Sequence, residues 1–489
     1  MISRQTVPVR IFIECTHTYF AGGDGGIRRV ARNLANQHRS ASSENVTLLP
    51  IVWAGRGFFA PRRSLTTGSH PLFKLRDWHA RLGELSNWGC TAMASMANAL
   101  VEKLRPLYVR YRYARLFGIA RNPLRWLRAG SYRARSEVTL LVESCFTWVR
   151  SLMRSGAGED AFYKLFGIIA WPLIFFHVSR VNFRAGDIVV LVDSTWNSPA
   201  MLEALLAARE TRGIQLGVML HDLFPLTIPE MCHPTTVSGY EWWFNRVAPS
   251  ADFFLTNSAA TGHSLDLYLE ANPDLRLRPW RTGSFRLGAE LSAPVETPLK
   301  LTAGLPCPPL GFVVLAVGTI EPRKNYAAIL DALDMLWDQI GVTLILVGRP
   351  GWSNADIMQR IRSHRYLGTR LFHLDNADDA DLEAAYQRAE CLVCASWAEG
   401  FGLPIVEGLY HGLPVIASDI KVFREVGGDA CRYFSANNPR ELAQKLLEAE
   451  ASNGGERGPV PVGYRSGLVI SWEESAVQFR DTVMQLAQA

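Results

Sequence analysis

Phe312–Val347 reads FVVLAVGTIEPRKNYAAILDALDMLWDQIGVTLILV. Two six-residue apolar runs, Phe312–Val317 and Val342–Val347, bracket a polar turn and a helical pattern from Asn325 to Gln339. Neither run alternates apolar with polar residues. A strand written that way is buried on both faces, the condition of a parallel sheet covered by helices. Working outward, the same kind of run recurs at Val9–Cys15, Ile188–Val192, Ile214–Leu220, Phe253–Thr256, Cys391–Ala395 and Pro414–Ala417. Helical patterns fall between them at Pro199–Arg209, Ala259–Glu270, Ala380–Glu390 and Pro404–Tyr410. This alternation predicts an α/β protein built on parallel sheets.

A length of 489 residues suggests two or three domains. With 48% hydrophobic and 20% charged residues, a disordered tail, a collagen-like fibre and a small disulfide scaffold are excluded. Eight cysteines scattered along so long a chain point to a reducing compartment. Cys391-Leu392-Val393-Cys394 is formally a CxxC, but it lies in a strand-like run whose alternation sends the two sulfurs to opposite faces, so it reads as core. The first ten residues lack the apolar stretch of an export signal. Leu165–Ser179 is apolar but holds 15 residues and Pro172, short of the roughly 20 that a bilayer span needs, so it reads as a buried or interfacial segment.

Net charge is only +5, but its distribution is uneven. Val101–Arg184 holds 15 Lys/Arg against 5 Asp/Glu, and Lys103–Arg135 holds 10 Lys/Arg and no acid. That stretch belongs to a region, about 58–185, that does not read as strand–helix units and is expected as a basic, helical insertion. Ser292–Pro309 reads as a linker, and a fresh strand–turn–helix series starts at Gly311. The expected division is an N-terminal unit at 1–295, a C-terminal unit at 296–465 and a terminal helix at 466–489.

The chemistry concentrates after two strands. Ser396–Glu407 (SWAEGFGLPIVE) follows a buried strand and opens a helix at Pro404. Gly400 and Gly402 permit a tight turn, and the helix N-terminus offers oriented N–H groups to an anion. Glu399 and Glu407 flank this turn; carboxylates suit sugar hydroxyls rather than phosphate. Gly318–Asn325 (GTIEPRKN) follows another strand and carries the adjacent cations Arg323 and Lys324. Arginine grips phosphate bidentately and lysine acts as a point charge. Together the two turns suit a ligand that is both phosphorylated and rich in hydroxyls, and two cations can offset a leaving diphosphate without a metal. No Asp-x-Asp motif and no His/Cys cluster with metal-ligand spacing is expected beside them.

GTIEPRKN, LVGRPGW (Leu346–Trp352) and ASWAEGFGLPIVEGL (Ala395–Leu409), in this order, resemble the family 4 retaining glycosyltransferases, with Glu399 and Glu407 as the family's E-x7-E pair. The Gly-rich turn Gly22–Arg29, then His221-Asp222 with Pro229-Glu230, and Thr256-Asn257-Ser258 look most like mannosyltransferases of bacterial surface polysaccharides. The resemblance implies two Rossmann-like domains facing a cleft (the GT-B type), with the last helix crossing back to the first domain. It implies that Arg323 and Lys324 bind the donor diphosphate and that Gly318 and Thr319 line the donor pocket. Glu399 would contact the transferred sugar together with backbone groups of Phe401, Gly402 and Leu403, and Glu407 would hold the ribose. Gly25 and Gly26 would let the N-terminal turn close over the phosphates. His221 would stand near the reacting carbon, while Asp222 caps or orients.

The expected activity is metal-independent transfer of a hexosyl unit, mannose first, from a nucleotide sugar to a saccharide or lipid-linked saccharide, with no cofactor beyond the donor. GDP-mannose is the first donor and UDP-hexoses come next. A non-catalytic, membrane-associated assembly subunit of the same fold is the alternative class. For Lys103–Arg135 three readings stay open: a solvated helical face, docking on anionic lipid head groups, or nucleic acid, the least favoured. Tyr108, Tyr111, Tyr113, Phe117 and Trp126 suit an interfacial helix as well as base stacking. The expected location is the cytoplasm, peripheral to the inner face of the membrane.

Overall fold

The computed structural model describes residues 8–21, 25–53, 57–61, 65, 178–275, 279–290, 311–453 and 468–489. The basic run Lys103–Arg135, the apolar run from 165, the linker Ser292–Pro309 and Gly22–Asp24 lie wholly or mostly outside them. Among the described residues, no helix is long and apolar enough to cross a membrane.

Two sheets form. The second contains β9 (Phe312–Val317), β10 (Val342–Val347), β11 (Leu371–Leu374), β12 (Cys391–Cys394), β13 (Val415–Ser418) and β14 (Cys431–Phe434). Its order is β11-β10-β9-β12-β13-β14, and every pairing is parallel. That is the doubly wound Rossmann order, reversing between β9 and β12, where ligands bind at the carboxyl ends of the strands. β9, β10, β12 and β13 are buried at almost every position, as their unbroken apolar sequences require. Cys391 and Cys394 are buried free thiols on opposite faces of β12, in different apolar clusters.

The first sheet contains β1 (Val9–Glu14), β2 (Val46–Trp53), β3 (Phe58–Pro61), β4 (Val178–Arg180), β5 (Ile188–Leu191), β6 (Gln215–Leu220), β7 (Phe253–Thr256) and β8 (Thr282–Ser284). Its order is β4-β3-β2-β1-β5-β6-β7-β8. Only the β2–β3 and β3–β4 pairings, at one edge, are antiparallel, so β3 alone runs against the rest. The segment expected as an insertion, about 58–185, is therefore entered and left through two paired strands of this sheet. A four-residue and a three-residue strand carry too little periodicity to register in the sequence.

The two units pack against each other. One apolar cluster runs from Ile11, Val30 and Val190 of the first unit to Leu315, Phe401 and Val415 of the second. The terminal helix Trp472–Gln488 contributes Trp472, Phe479 and Val483 to it. This helix opens with a capping box between Ser471 and Glu474 and lies on the first unit, where Ser475 Oγ donates to the Arg286 carbonyl at 2.7 Å.

Candidate active site

The carboxyl ends of both sheets face one cleft of about 590 Å³. All twelve residues singled out from the sequence line it: His221, Arg323, Lys324, Glu399, Gly25, Gly26, Gly318, Thr319, Phe401, Gly402, Leu403 and Glu407. They come from the loops after β1, β6, β9 and β12, so the strand–turn–helix pattern is what places them together.

At the switch point, the turn after β9 forms a short 3-10 helix, Pro322–Lys324, that leads into the helix Tyr326–Asp334. Across from it, the turn after β12 leads into the helix Leu403–Tyr410 through Gly402, whose φ of +101° is in the left-handed region that suits glycine. A side chain at Gly402 would also strike Phe423 at 2.8 Å. The two turns are bonded to each other. Arg323 donates through Nη1 to Glu399 Oε2 at 2.8 Å and to the Ala398 carbonyl at 2.7 Å, and through Nη2 to Glu321 Oε1 at 2.7 Å. Lys324 Nζ pairs with Glu399 Oε1, which also accepts from Ser396 Oγ at 2.8 Å. Burial alone would raise the Glu399 carboxyl, but Arg323 and Lys324 outweigh it and hold the group at about 2. Glu399 is thus an ionised hydrogen-bond acceptor and not a proton donor at neutral pH. Burial lowers the proton affinity of Arg323, and Glu399, Glu321 and Asp222 raise it further than burial lowers it, so it stays charged.

The first unit closes the cleft. The Arg323 guanidinium lies 5.0 Å over the ring of Phe224. His221 is buried, with Nε2 2.7 Å from the Val192 carbonyl, an acceptor that requires the proton to sit on Nε2. Burial lowers its pKa and keeps the imidazole neutral. Burial likewise raises Asp222, against the pull of Arg323. Asn257 lines the cleft 4% exposed, and its Oδ1 has no partner among the described residues.

Glu407 also lines this cleft. It is 2% exposed, and both oxygens are engaged: Oε1 by Arg29 of the first unit, Oε2 by the Tyr386 hydroxyl at 2.7 Å. Arg29 also lies 3.6 Å from Asp379, which Arg32 approaches to 3.2 Å. Arg28, Arg29, Arg349, Asn257 and Asp379 are cleft residues for which the sequence supplied no role. Arg28 and Arg29 stood inside the quoted Gly-rich turn; Arg28 meets His17 at 3.1 Å, while the partners of Arg29, Glu407 and Asp379, lie hundreds of positions away. Contrary to the sequence reading, an Asp-x-Asp pattern is present at Asp379-Ala380-Asp381. In the structure, Asp381 closes a capping box with Asp378, and Asp379 faces Arg29 and Arg32. Among the described residues, no group of three His, Cys, Asp or Glu side chains is arranged to hold a metal ion.

Two Rossmann-like units meet here, with a cationic turn and a Gly-rich, carboxylate-flanked turn at the switch point. Residues 308–457 match the family described as glycosyl transferases group 1, and the chain resembles bacterial mannosyltransferases of that group. It is 31% identical over 277 residues to a serotype-specific mannosyltransferase WbdA of Escherichia coli, covering 55% of this chain and 34% of that protein. It is also 31% identical over 169 residues to the O-antigen chain mannosyltransferase B of Escherichia coli, covering 34% of this chain and 43% of the relative. The chain thus spans well under half the length of these curated relatives. Among solved structures, an Anabaena protein, Alr3699/HepE in complex with UDP and glucose, aligns with a TM-score of 0.40 at 20% identity over 62% of this chain and 76% of that one.

Proposed function

We propose that the chain is a retaining, metal-independent glycosyltransferase. It moves a hexosyl unit from a nucleoside diphosphate sugar to a hydroxyl of a saccharide or lipid-linked saccharide during surface-polysaccharide synthesis. The observation that carries this reading is the meeting of Arg323, Lys324 and Glu399 at the carboxyl ends of β9 and β12, inside a cleft walled by both units. Mannose is the first candidate sugar, because the curated relatives bear mannosyltransferase names.

In this reading, negative charge grows on the diphosphate as the glycosidic bond breaks, and Arg323 and Lys324 stabilise it. Preorganised cations cost no reorganisation at that moment. Glu399, ionised, accepts hydrogen bonds from the hydroxyls of the transferred sugar while keeping the two cations in place. The departing phosphate accepts the proton of the attacking hydroxyl on the same face of the sugar, which preserves the anomeric configuration. Closure of the units keeps water from hydrolysing the donor. The enzyme works in the cytoplasm, and the basic run 103–135 is either a solvated face or a contact with anionic lipid head groups next to a lipid-linked acceptor.

A thermal-shift panel of nucleotide sugars on the purified chain tests the donor, since a ligand bound only by the folded state raises its melting temperature. GDP-mannose raising it most, followed by transfer with retained configuration in the presence of a chelator, supports the reading. No response to any nucleotide sugar refutes it. Flotation with anionic and neutral liposomes tests the membrane part.

A further inference from the structure

A second groove, of about 460 Å³, lies along the carboxyl edge of the second sheet, beside the cleft. That is within the range of ordinary ligand sites, roughly 300–1,000 Å³. Its walls follow three neighbouring parallel strands: Trp397 comes after β12, Asp419 after β13, and Ser435 and Asn437 after β14. Tyr433 and Glu441 also line it. Trp397 lines the groove and Glu399 lines the cleft, so the two spaces are only two residues apart, at most about 7 Å of backbone. Trp397 is 40% exposed, although Ser396 before it is buried. A side chain able to bury about 150–250 Å² is thus left open to the groove.

The polar groups around Trp397 are held in place. Asp419 accepts from Arg424 Nε and Nη2, both at 2.8 Å, and the Arg424 guanidinium lies 4.0 Å over the Tyr433 ring. Glu441 Oε2 accepts from the Ser435 amide at 2.9 Å, and Asn437 Oδ1 from Ser435 Oγ at 2.6 Å. A carboxylate offers about four lone-pair sites, so Asp419 and Glu441 keep acceptor capacity, and Asn437 keeps its amide donors. Among the described residues, no lysine or arginine lines the groove. Two carboxylates without a surplus cation repel phosphate, anionic lipid and nucleic acid. A purely apolar protein or lipid surface would strip water from those carboxylates and give nothing back. A neutral ligand with a flat apolar face for Trp397 and hydroxyls for Asp419 and Glu441 satisfies both constraints, and a pyranose ring has both.

We propose that this groove is a saccharide-binding site outside the cleft, which holds a stretch of the polysaccharide acceptor while its end enters the cleft. Its role as an acceptor tether rests on the function proposed above; binding in the groove needs no nucleotide sugar. The groove is bonded to the turn that carries the two cations. The Trp397 amide donates to the Arg323 carbonyl at 2.9 Å, and Asn325 Nδ2 donates to the Ala436 carbonyl at 2.9 Å. A chain held there has a defined position relative to Arg323 and Lys324. Its end then meets the cleft as an intramolecular partner, at a raised effective concentration.

The test is affinity electrophoresis of the full chain through native gels containing α-mannan, dextran or hydroxyethylcellulose, with no nucleotide sugar present. The native sequence is compared with Trp397→Ala, Trp397→Phe and Asn437→Ala. At least one of these neutral polymers should retard the native chain. Trp397→Ala should bind that polymer more weakly by about tenfold or more, the scale of a truncated aromatic anchor. Trp397→Phe should keep most of the binding. Asn437→Ala should lose several-fold, and it carries the test if the tryptophan variants do not fold. The thermal shift with nucleotide sugars should be the same in all four proteins. No retardation of the native chain, or native retardation of Trp397→Ala, overturns the inference. So does a Trp397→Ala chain that loses its nucleotide-sugar response as well, since Trp397 would then act through the Arg323 turn. A native dimer in light scattering that Trp397→Ala dissolves assigns the face to a second copy and overturns it too. A native chain that binds polysaccharide through Trp397 but responds to no nucleotide sugar upholds the groove and overturns the donor reading alone.

Discussion

Glu425 of the C-terminal unit caps a helix of the N-terminal unit: its carboxylate accepts the amide protons of Ala259 at 2.7 Å and Ala260 at 2.9 Å. These are first-turn donors of the helix Ala259–Ala271 that no residue of their own helix can satisfy. The bond therefore joins the two units. Glu425→Ala should cost about 1 kcal/mol, the usual value of a lost helix cap. It should lower the melting temperature by a few degrees and enlarge the radius of gyration measured by X-ray scattering. An unchanged radius would show that the units stay closed without this cap.

Lys324→Ala removes one of the two cations in contact with Glu399 and leaves Arg323 to hold the turn through Ala398, Glu399 and Glu321. The fold should survive, with an unchanged circular dichroism spectrum. Transfer should fall by on the order of 10²–10³, as when one preorganised stabilising group is removed from other active sites. Turnover at the native rate would remove Lys324 from the chemistry.

Much of the second unit was legible because its signals are local. FVVLAV and VTLILV are continuous runs, and the structure makes them β9 and β10 with the same bounds. The turns that follow strands carry their chemistry within a dozen residues, so Arg323, Lys324 and Glu399 could be named together. The helix after β9 ends at Asp334, earlier than the apolar pattern to Gln339 suggests; Trp337 instead turns back and donates from Nε1 to Asp334 at 3.0 Å. Long-range relations were illegible. The engagement of Glu407 by Arg29 joins positions 378 apart, and nothing along a single chain marks such a pair. β3 and β4 failed for a different reason: they are too short to carry a period, and they are separated by more than a hundred residues.

Glu14, at the carboxyl end of β1, is fully buried, and burial with Asp193 beside it pushes its pKa from the usual 4.5 up to about 8. Folded Glu14 therefore keeps its proton where the unfolded chain has released it. Stability from this group is complete below pH 4.5 and declines as pH rises from 4.5 towards 8, because the folded state binds more protons over that window. Glu14→Gln has the shape of the protonated form. It should raise the urea midpoint at pH 8, with the gain shrinking to nothing near pH 4. Glu399 behaves with the opposite sign: its depressed value contributes stability above pH 4.5 that is lost as pH falls towards 2. A Glu14→Gln effect independent of pH would show that the carboxyl is not held neutral.

At Gly400 the turn after β12 lies directly against the first unit. A Cβ at this position would stand 1.8 Å from the His221 carbonyl oxygen and 3.3 Å from the Asp222 Cβ. The Gly400 carbonyl accepts from Ser258 Oγ at 2.7 Å and Thr261 Oγ1 at 3.0 Å, so the turn cannot retreat without breaking both bonds. Gly400→Ala should thus force the cleft open while each sheet keeps its own core. The expected outcome is a wider molecule by X-ray scattering, a reduced thermal shift with nucleotide sugars, and transfer falling with little loss of secondary structure. Gly239→Ala is the control: it sits in the helix Pro234–Val247 with nothing within 4 Å of an added Cβ. There alanine should be neutral or stabilise by about 0.5–1 kcal/mol through helix propensity alone. If Gly400→Ala were to match that control in radius, ligand response and turnover, the close approach of the Gly400 turn to His221 would have no part in catalysis.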